Sequence, residues 1–218
     1  MRLWKVPTSP KALIFDLDST LYTNPEYARF QTRILVERLA ARRGGTPEAT
    51  EALLDTLRAE GKRKDGIETS LGNLFLVLGI SIEESVAWRE ELIRPAEWLV
   101  PDPRLERSLS ALSLRLPLCL VTNNPRSIGV ASLQALGVLG CFKFVVGLDD
   151  TGRSKPDPAP FSLAAGRLAV DSSLIVSIGD REDVDIRPAL ALGMGGILVE
   201  SVEDVYSLPR RLFEACRP

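Results

Sequence analysis

The stretch Leu-Ile-Phe-Asp-Leu-Asp-Ser-Thr-Leu, residues 13–21, carries the strongest fold signal in the chain. An apolar run from residue 12 to 17 predicts a strand buried on both faces, because a half-buried strand would alternate apolar and polar residues. The run leads into two carboxylates, Asp16 and Asp18. Ligands of open α/β sheets bind beyond the carboxyl ends of the strands. The stretch therefore predicts a parallel sheet with a polar site at its edge.

Four later apolar runs share this character and predict the remaining strands of the sheet. They span residues 118–121, 142–146, 174–178 and 196–199. Helical segments are predicted between and after them, at residues 125–136, 158–168, 184–192 and 202–215. This alternation predicts an α/β fold, with a doubly wound, mostly parallel Rossmann-like sheet.

Residues 23–99 interrupt the alternation, because they contain no convincing strand and instead show helical periodicity. Tyr27, Phe30, Ile34 and Leu39 fall on one face of a helix. Three more helices are predicted at residues 46–60, 68–78 and 82–93, with breaks that include Gly-Lys-Arg-Lys-Asp-Gly at 61–66. We therefore expect a catalytic core formed by residues 1–22 and 100–218, and an inserted all-α cap formed by residues 23–99.

Composition removes several classes of function. The 27 lysines and arginines nearly balance the 29 aspartates and glutamates, so no nucleic-acid partner is expected. Because the chain has no histidine, Ser-His-Asp relays and histidine-ligated metal sites are excluded. No apolar run approaches the roughly 20 residues of a membrane-spanning helix, so no membrane partner is expected. Cys119, Cys141 and Cys216 are scattered, which favours a cytoplasmic protein with reduced thiols.

A second predicted strand also ends in an acid. Residues 174–180 read Leu-Ile-Val-Ser-Ile-Gly-Asp, which would bring Asp180 to the same edge of the sheet as Asp16. Two close anions repel each other, and a divalent cation would relieve the repulsion and keep Asp16 ionised as a nucleophile. Oxygen ligands of this kind favour Mg²⁺. Taken singly, each acidic segment also fits ordinary turn or solvated-loop chemistry.

Two further segments could bind phosphate. Thr122 and Asn123 follow a strand and precede a helix, where a hydroxyl and neighbouring amide nitrogens can contact phosphate oxygens. The same residues also fit simple turn and capping chemistry. Lys155 precedes a proline in a loop, and its cation would offset the charge of a phosphate and of the aspartates.

These segments, in this order, resemble the haloacid dehalogenase superfamily. The resemblance rests on FDLDST at residues 15–20, VTN at 121–123, KPDP at 155–158 and GDREDVD at 179–185. It implies that Asp16 is the nucleophile and Asp18 the general acid and base. It further implies phosphate binding by Thr122, Asn123 and Lys155, Mg²⁺ binding by Asp16, Asp18 and Asp180, and a supporting role for Asp185. The helical insertion lies where this family carries a small helical cap.

The resemblance predicts a magnesium-dependent phosphatase that hydrolyses a small phosphomonoester through an aspartyl-phosphate intermediate. The substrate would be a small phosphorylated metabolite such as a nucleoside monophosphate or a sugar phosphate. The nucleoside monophosphate is suggested because the start of the chain is somewhat similar to pyrimidine 5′-nucleotidase-type members. Alternatives are a phosphomutase with the same site, or a non-enzymatic signalling domain that carries a phospho-aspartate. Ser19 and Val184 depart from the family's usual glycine and asparagine, so Asp183 and Asp185 both remain candidates for the supporting acid.

Overall fold

The computed structural model describes residues 1–65 and 69–213 and contains one sheet with helices on both faces. Its strands are β1 (Arg2–Trp4), β2 (Ala12–Phe15), β3 (Leu118–Val121), β4 (Phe142–Val146), β5 (Ile175–Gly179) and β6 (Gly195–Leu198). Their order across the sheet is β1-β6-β5-β2-β3-β4. All five predicted strands are confirmed, with ends that differ from the prediction by at most two residues, and the pairings among these five strands are all parallel.

Strand β1 was not predicted. It pairs with β6 in the antiparallel direction at the edge of the sheet, where Leu3 lies opposite Ile197. Three residues are too few to establish a periodic pattern, and Leu3 is 53% exposed, so burial does not mark the segment either.

The helices described are α1 (Pro25–Arg43), α2 (Pro47–Asp65), α3 (Leu71–Val77), α4 (Ile82–Leu92), α5 (Pro103–Ser113), α6 (Arg126–Ala135), α7 (Leu148–Thr151), α8 (Ala159–Leu168), α9 (Arg187–Ala191) and α10 (Val202–Phe213). Helices α5 and α7 lie outside the segments predicted as helical. The predicted helix at 184–192 begins instead as a π-helical turn, Glu182–Ile186, that leads into α9. The predicted end of the last helix, and Cys216, lie outside the described residues.

Helices α1 to α4 confirm the prediction of an all-helical stretch and are called the helical insertion (residues 25–92) below. The predicted break at residues 61–66 was wrong, because α2 continues to Asp65. Lysine and arginine are good helix formers, and a single glycine costs a helix only about 1 kcal/mol. Gly61 also permits a close approach, since a Cβ there would lie 2.5 Å from Thr69 Oγ1. Residues 66–68, where the next helix was predicted to begin, lie outside the described residues.

Apolar side chains cover both faces of the sheet, as the near-continuous apolar runs predicted. Leu13 and Phe15 of β2 pack in the larger cluster on one face, and Ile14 packs in a smaller cluster on the other. A third cluster, which includes Phe75 and Trp88, joins the helices of the insertion. The side chains at the ends of the insertion belong to the larger cluster of the core: Tyr22, Tyr27, Ile93 and Leu99. A division into two domains at residues 23 and 99 stays a prediction.

Within the described part of the chain, no helix combines the length and the apolar character needed to cross a membrane. Cys119 is buried and Cys141 is partly exposed, and both are free thiols.

Candidate active site

Asp16 and Asp180 lie at the point where the order of the sheet reverses. From β2, the next strands in sequence, β3 and β4, extend to one side, whereas β5 and β6 lie on the other. Asp16 follows β2 and Asp180 follows β5, and the Asp16 amide donates to the Ile178 carbonyl of β5 at 2.8 Å. A switch point of this kind opens a crevice at the carboxyl ends of the strands. The predicted meeting of the two acids is confirmed in position.

Three carboxylates meet in this crevice, those of Asp16, Asp180 and Asp185. One oxygen from each lies within 4.8 Å of the others. Burial, followed by the charges of Asp16 and Asp185, raises the pKa of Asp180 to about 7. A cluster of three hard oxygen donors fits a divalent cation such as Mg²⁺. The candidate metal site therefore consists of these three residues.

The other acids of the prediction lie outside this group. The Asp18 carboxylate is not among the three, so its role as a metal ligand stays a prediction. Asp183 Oδ2 lies 3.8 Å from Arg181 Nη2 and also stands apart from the three. Geometry thus favours Asp185 over Asp183 as the supporting acid.

Lys155 links two of the clustered acids. Its Nζ donates to Asp16 Oδ1 at 2.5 Å and to Asp185 Oδ1 at 2.6 Å, and its side chain is buried. Burial by itself lowers the pKa of an ammonium, but the charges of Asp16 and Asp185 outweigh burial and raise the pKa of Lys155. The lysine is therefore a fixed positive charge beside Asp16.

Asn123 holds the backbone of Lys155. The Lys155 amide donates to Asn123 Oδ1 at 2.7 Å, and Asn123 Nδ2 donates to the Lys155 carbonyl at 3.1 Å. Both polar groups of the Asn123 side chain are used in this way, so the residue positions the lysine. Its direct contact with phosphate stays a prediction.

Asp185 is held by the end of β5 and by the turn after it. Ser177 Oγ donates to the Asp185 carbonyl at 2.8 Å, and the Arg181 amide donates to Asp185 Oδ2 at 3.1 Å. Gly179 leaves room for the acid, since a Cβ at that position would lie 2.4 Å from Asp185 Cβ. Burial raises the pKa of Asp185 to about 6, against the opposing charge of Lys155.

Asp18 accepts hydrogen bonds from three side chains, and none of these contacts was predicted from the sequence. Its Oδ1 accepts from the Tyr22 hydroxyl and from Gln31 Nε2 (3.0 Å), and its Oδ2 accepts from Asn124 Nδ2 (3.0 Å). Burial, followed by the nearby Asp16 charge, raises the pKa of Asp18. The carboxyl group is thus fixed in orientation, and its environment favours retention of a proton.

One of these missed residues left a signal in the sequence. Gln31 lies four residues after Tyr27 and four before Leu35, both buried, so it is an amide on an apolar helix face. Asn124 left no comparable signal. Thr122 is buried, and its Oγ1 accepts from the Asn124 amide at 3.1 Å. It does not line the pocket beside Asp16, and its role in phosphate binding stays a prediction.

Two adjoining pockets form the crevice. The first, about 180 Å³, is lined by polar residues that include Asp16, Lys155 and Asp180. The second, about 260 Å³, extends under the helical insertion to Arg89. Asp18, Asn123 and Arg181 line both. Pockets of this size suit a small molecule, since sites for drug-sized ligands span about 300–1,000 Å³.

Known proteins resemble this chain over most of its length. The profile of haloacid dehalogenase-like hydrolases matches residues 10–193. A ribulose-1,5-bisphosphate 5-phosphatase from Halopiger xanaduensis is 28% identical over 88% of this chain and 86% of its own. A phosphoglycolate phosphatase from Rhodospirillum rubrum is 30% identical over 91% of this chain and 84% of its own. The crystal structure of a HAD phosphatase from Thermococcus onnurineus has the same fold, with a TM-score of 0.64 and 21% identity over 93% of this chain and 98% of that one.

Proposed function

Because the chain belongs to the haloacid dehalogenase-like hydrolases, we propose that it transfers the phosphoryl group of a small phosphomonoester to Asp16 and then to water, with Mg²⁺ as cofactor. Its phosphatase relatives make it a phosphoric monoester hydrolase. The Mg²⁺ ion, the phosphorylated Asp16 intermediate and the identity of the substrate are proposals. The non-enzymatic signalling domain is thereby set aside.

The observation that carries the proposal is the pairing of two unlike carboxyl groups in one pocket. The Lys155 ammonium donates to Asp16 Oδ1 at 2.5 Å and fixes this carboxyl group in the pocket, which suits a nucleophile. Asp18 has a raised pKa and lines the same pocket, which suits a proton donor. A dehalogenase of this family would lack the second acid, so the pair favours a phosphatase.

Asp16 and Asp18 act in two successive displacements at phosphorus, and each displacement forms one bond, breaks one bond and transfers one proton. An Asp16 carboxylate oxygen attacks phosphorus and forms an acyl phosphate, while the bond from phosphorus to the ester oxygen breaks. Asp18 gives its proton to the departing alkoxide, which leaves as an alcohol. Asp18 then takes a proton from the water that attacks the acyl phosphate, and inorganic phosphate and free Asp16 result. Lys155 holds a positive charge beside the phosphoryl oxygens throughout.

Asp16, Asp180 and Asp185 would hold the Mg²⁺ ion, because they provide three oxygen donors within 4.8 Å. When bound, the ion would neutralise charge on the phosphoryl oxygens and relieve the repulsion among these acids.

The relatives guide the choice of substrate. The Halopiger and Rhodospirillum proteins are named for ribulose-1,5-bisphosphate and phosphoglycolate. These names favour a small phosphorylated sugar or hydroxy acid over a nucleoside monophosphate as the substrate. The modest pocket volumes, about 180 and 260 Å³, support the same choice.

The test is release of inorganic phosphate from a panel of sugar phosphates, phosphorylated hydroxy acids, nucleoside monophosphates and p-nitrophenyl phosphate. We expect turnover with added Mg²⁺ and none with a chelator. The Asp16→Asn variant should lose activity by at least about 10³-fold, because an amide is a poor nucleophile.

Asp171→Asn is the matched control, since Asp171 is exposed and only orders the turn at Ser173. Mass spectrometry of acid-quenched wild-type enzyme should detect a phosphate adduct on Asp16. Near-normal turnover by Asp16→Asn would contradict the mechanism. Transfer of phosphate to a second substrate position, without release, would instead identify a phosphomutase.

A further inference from the structure

Arg89 is a buried cation at the far side of the crevice. It lies on α4 of the helical insertion, is 4% exposed, and lines the 260 Å³ pocket that also contains Asp18. Its guanidinium carbon is 5.7 Å from the centre of the Phe75 ring, which keeps one face of the group away from water. Arginine is rarely buried to this degree unless it is paired with an acid.

No carboxylate pairs with Arg89 among the described residues. Its Nη1 donates to the carbonyl oxygen of Ser85 (3.1 Å) and to the Ser85 hydroxyl, both one turn earlier on the same helix. Its Nε and Nη2 make no hydrogen bond to any described residue. These bonds hold the guanidinium in place without neutralising its charge. Burial accordingly lowers the pKa of Arg89 to about 10, and the group is still charged at neutral pH.

Asp18 does not form an ion pair with Arg89. Its carboxylate oxygens are already occupied by Tyr22, Gln31 and Asn124. The Asp18 charge acts on Arg89 only through space and is too weak to offset burial. Among the described residues, none supplies an anion to this buried cation, and the pocket that Arg89 lines leaves room for an anionic group of the substrate.

We propose that Arg89 binds a second anionic group of the substrate, a carboxylate or a second phosphate, while the scissile phosphate lies beside Asp16. This inference rests on the proposed function and narrows its substrate class to phosphomonoesters with a second anion. The two pockets meet at Asp18, so one short molecule can occupy both. A guanidinium can donate two parallel hydrogen bonds to either anion.

Arg181 adds a second positive charge to the 260 Å³ pocket that Arg89 lines. It lines both pockets, and its side chain is 39% exposed, so its charge is screened more than that of Arg89. We therefore assign selectivity to Arg89.

The test compares matched substrates that differ in the second anion. One pair is 2-phosphoglycolate and 2-hydroxyethyl phosphate, and the other is ribulose 1,5-bisphosphate and ribulose 5-phosphate. For wild-type enzyme with Mg²⁺, we expect kcat/KM to favour the doubly anionic member of at least one pair. The pair that shows this preference identifies the second anion as carboxylate or phosphate.

The Arg89→Met variant keeps the length and apolar bulk of the side chain but removes its charge. We expect the preference to fall by about 10- to 100-fold, chiefly through KM, as for loss of a hydrogen bond to a charged group. Arg89→Lys should give an intermediate preference, because lysine keeps the charge but not the two-pronged geometry. This variant also serves if Arg89→Met fails to show a cooperative thermal transition.

The control is Arg38→Met. Arg38 also lies in the helical insertion, but it pairs with Glu91 at 2.8 Å and does not line the pocket. Its substitution should leave the preference unchanged. The inference is overturned if wild-type enzyme hydrolyses the esters without preference for the doubly anionic members, or if Arg89→Lys and any folded Arg89→Met keep the wild-type preference. If the enzyme hydrolyses none of these esters, the proposed function is overturned, and this inference with it.

Discussion

Gln31 brings the helical insertion into contact with the reacting acids. Its Nε2 donates to Asp18 Oδ1 at 3.0 Å, and its Oε1 accepts from Asn124 Nδ2 at 3.2 Å. A side chain that holds both Asp18 and its neighbour fixes the direction in which the acid points. At the scale of single residues, the orientation of Asp18 therefore depends on α1 of the helical insertion.

We expect Gln31→Leu to lower kcat by up to about 10-fold, because a hydrogen bond between uncharged groups contributes about 0.5–1.5 kcal/mol. The bond from Gln31 lowers the pKa of Asp18, so its loss should raise that pKa further. Activity that depends on protonated Asp18 falls as pH rises through its pKa. The alkaline limb of the kcat profile should therefore move to higher pH.

Gln134→Leu provides the comparison, since Gln134 is exposed on α6. A Gln31→Leu enzyme with wild-type kcat and an unchanged alkaline limb would rule out this positioning role.

At the scale of elements, the end of β5 positions Asp185 and, through it, Lys155. A Cβ at Gly179 would lie 2.4 Å from Asp185 Cβ and 2.6 Å from Asp185 Oδ2. Gly179→Ala must therefore displace the acid or the strand. We expect a loss of about 1–3 kcal/mol in the free energy of unfolding, as for overpacked cores, together with a marked loss of turnover. Chemical denaturation and phosphate release measure the two effects.

Gly166→Ala is the matched change at an open position. Gly166 lies in α8, and a Cβ there would meet no atom within 4 Å. Alanine favours helix over glycine by up to about 1 kcal/mol, so this variant should be as stable as wild type or more so, with unchanged turnover. Equal stability and activity of Gly179→Ala and wild type would show that the strand end does not constrain Asp185.

At the scale of the whole molecule, the protonation of the acids in the site is coupled to folding stability. The pKa of Asp18 is raised, that of Asp180 is raised to about 7 and that of Asp185 to about 6. Between the unfolded values near 4 and these folded values, the native state binds more protons than the unfolded chain. Stability is therefore greater at low pH and is lost as pH rises through about 6 and 7. The chain has no histidine to obscure this window.

We expect the thermal midpoint of chelator-treated protein to be higher near pH 5.5 than near pH 8. Saturating Mg²⁺ should raise the midpoint most near pH 8, because a bound cation stabilises the ionised acids. Differential scanning calorimetry provides the measurement. Asp180→Asn should reduce the pH difference, since its amide does not titrate. A chelator-treated protein that is more stable near pH 8 would contradict the proposed origin of the effect.

The sequence determined most of the sheet and the reactive ends of its strands. Residues 12–15 are all apolar and residues 175–178 are apolar except for Ser177, and such near-continuous apolar runs are buried when both faces of a sheet are covered. The acids directly after them, Asp16 and Asp180, then reach the crevice because parallel strands end at the same edge. The helical nature of the insertion also followed from local periodicity. None of these features requires knowledge of distant contacts.

Only the tertiary structure decided which side chains complete the site. Asn124 lies 106 positions from Asp18, and Gln31 lies 13 positions from it on a different element. Arg89 has a buried position on α4 that no periodic pattern marked. The contacts of Gln31 and Arg89 depend on how the helical insertion packs over the ends of the strands, and packing joins residues without regard to their spacing in the chain. Local patterns encode which face of an element is buried, whereas the partners on that face arise only when the elements meet.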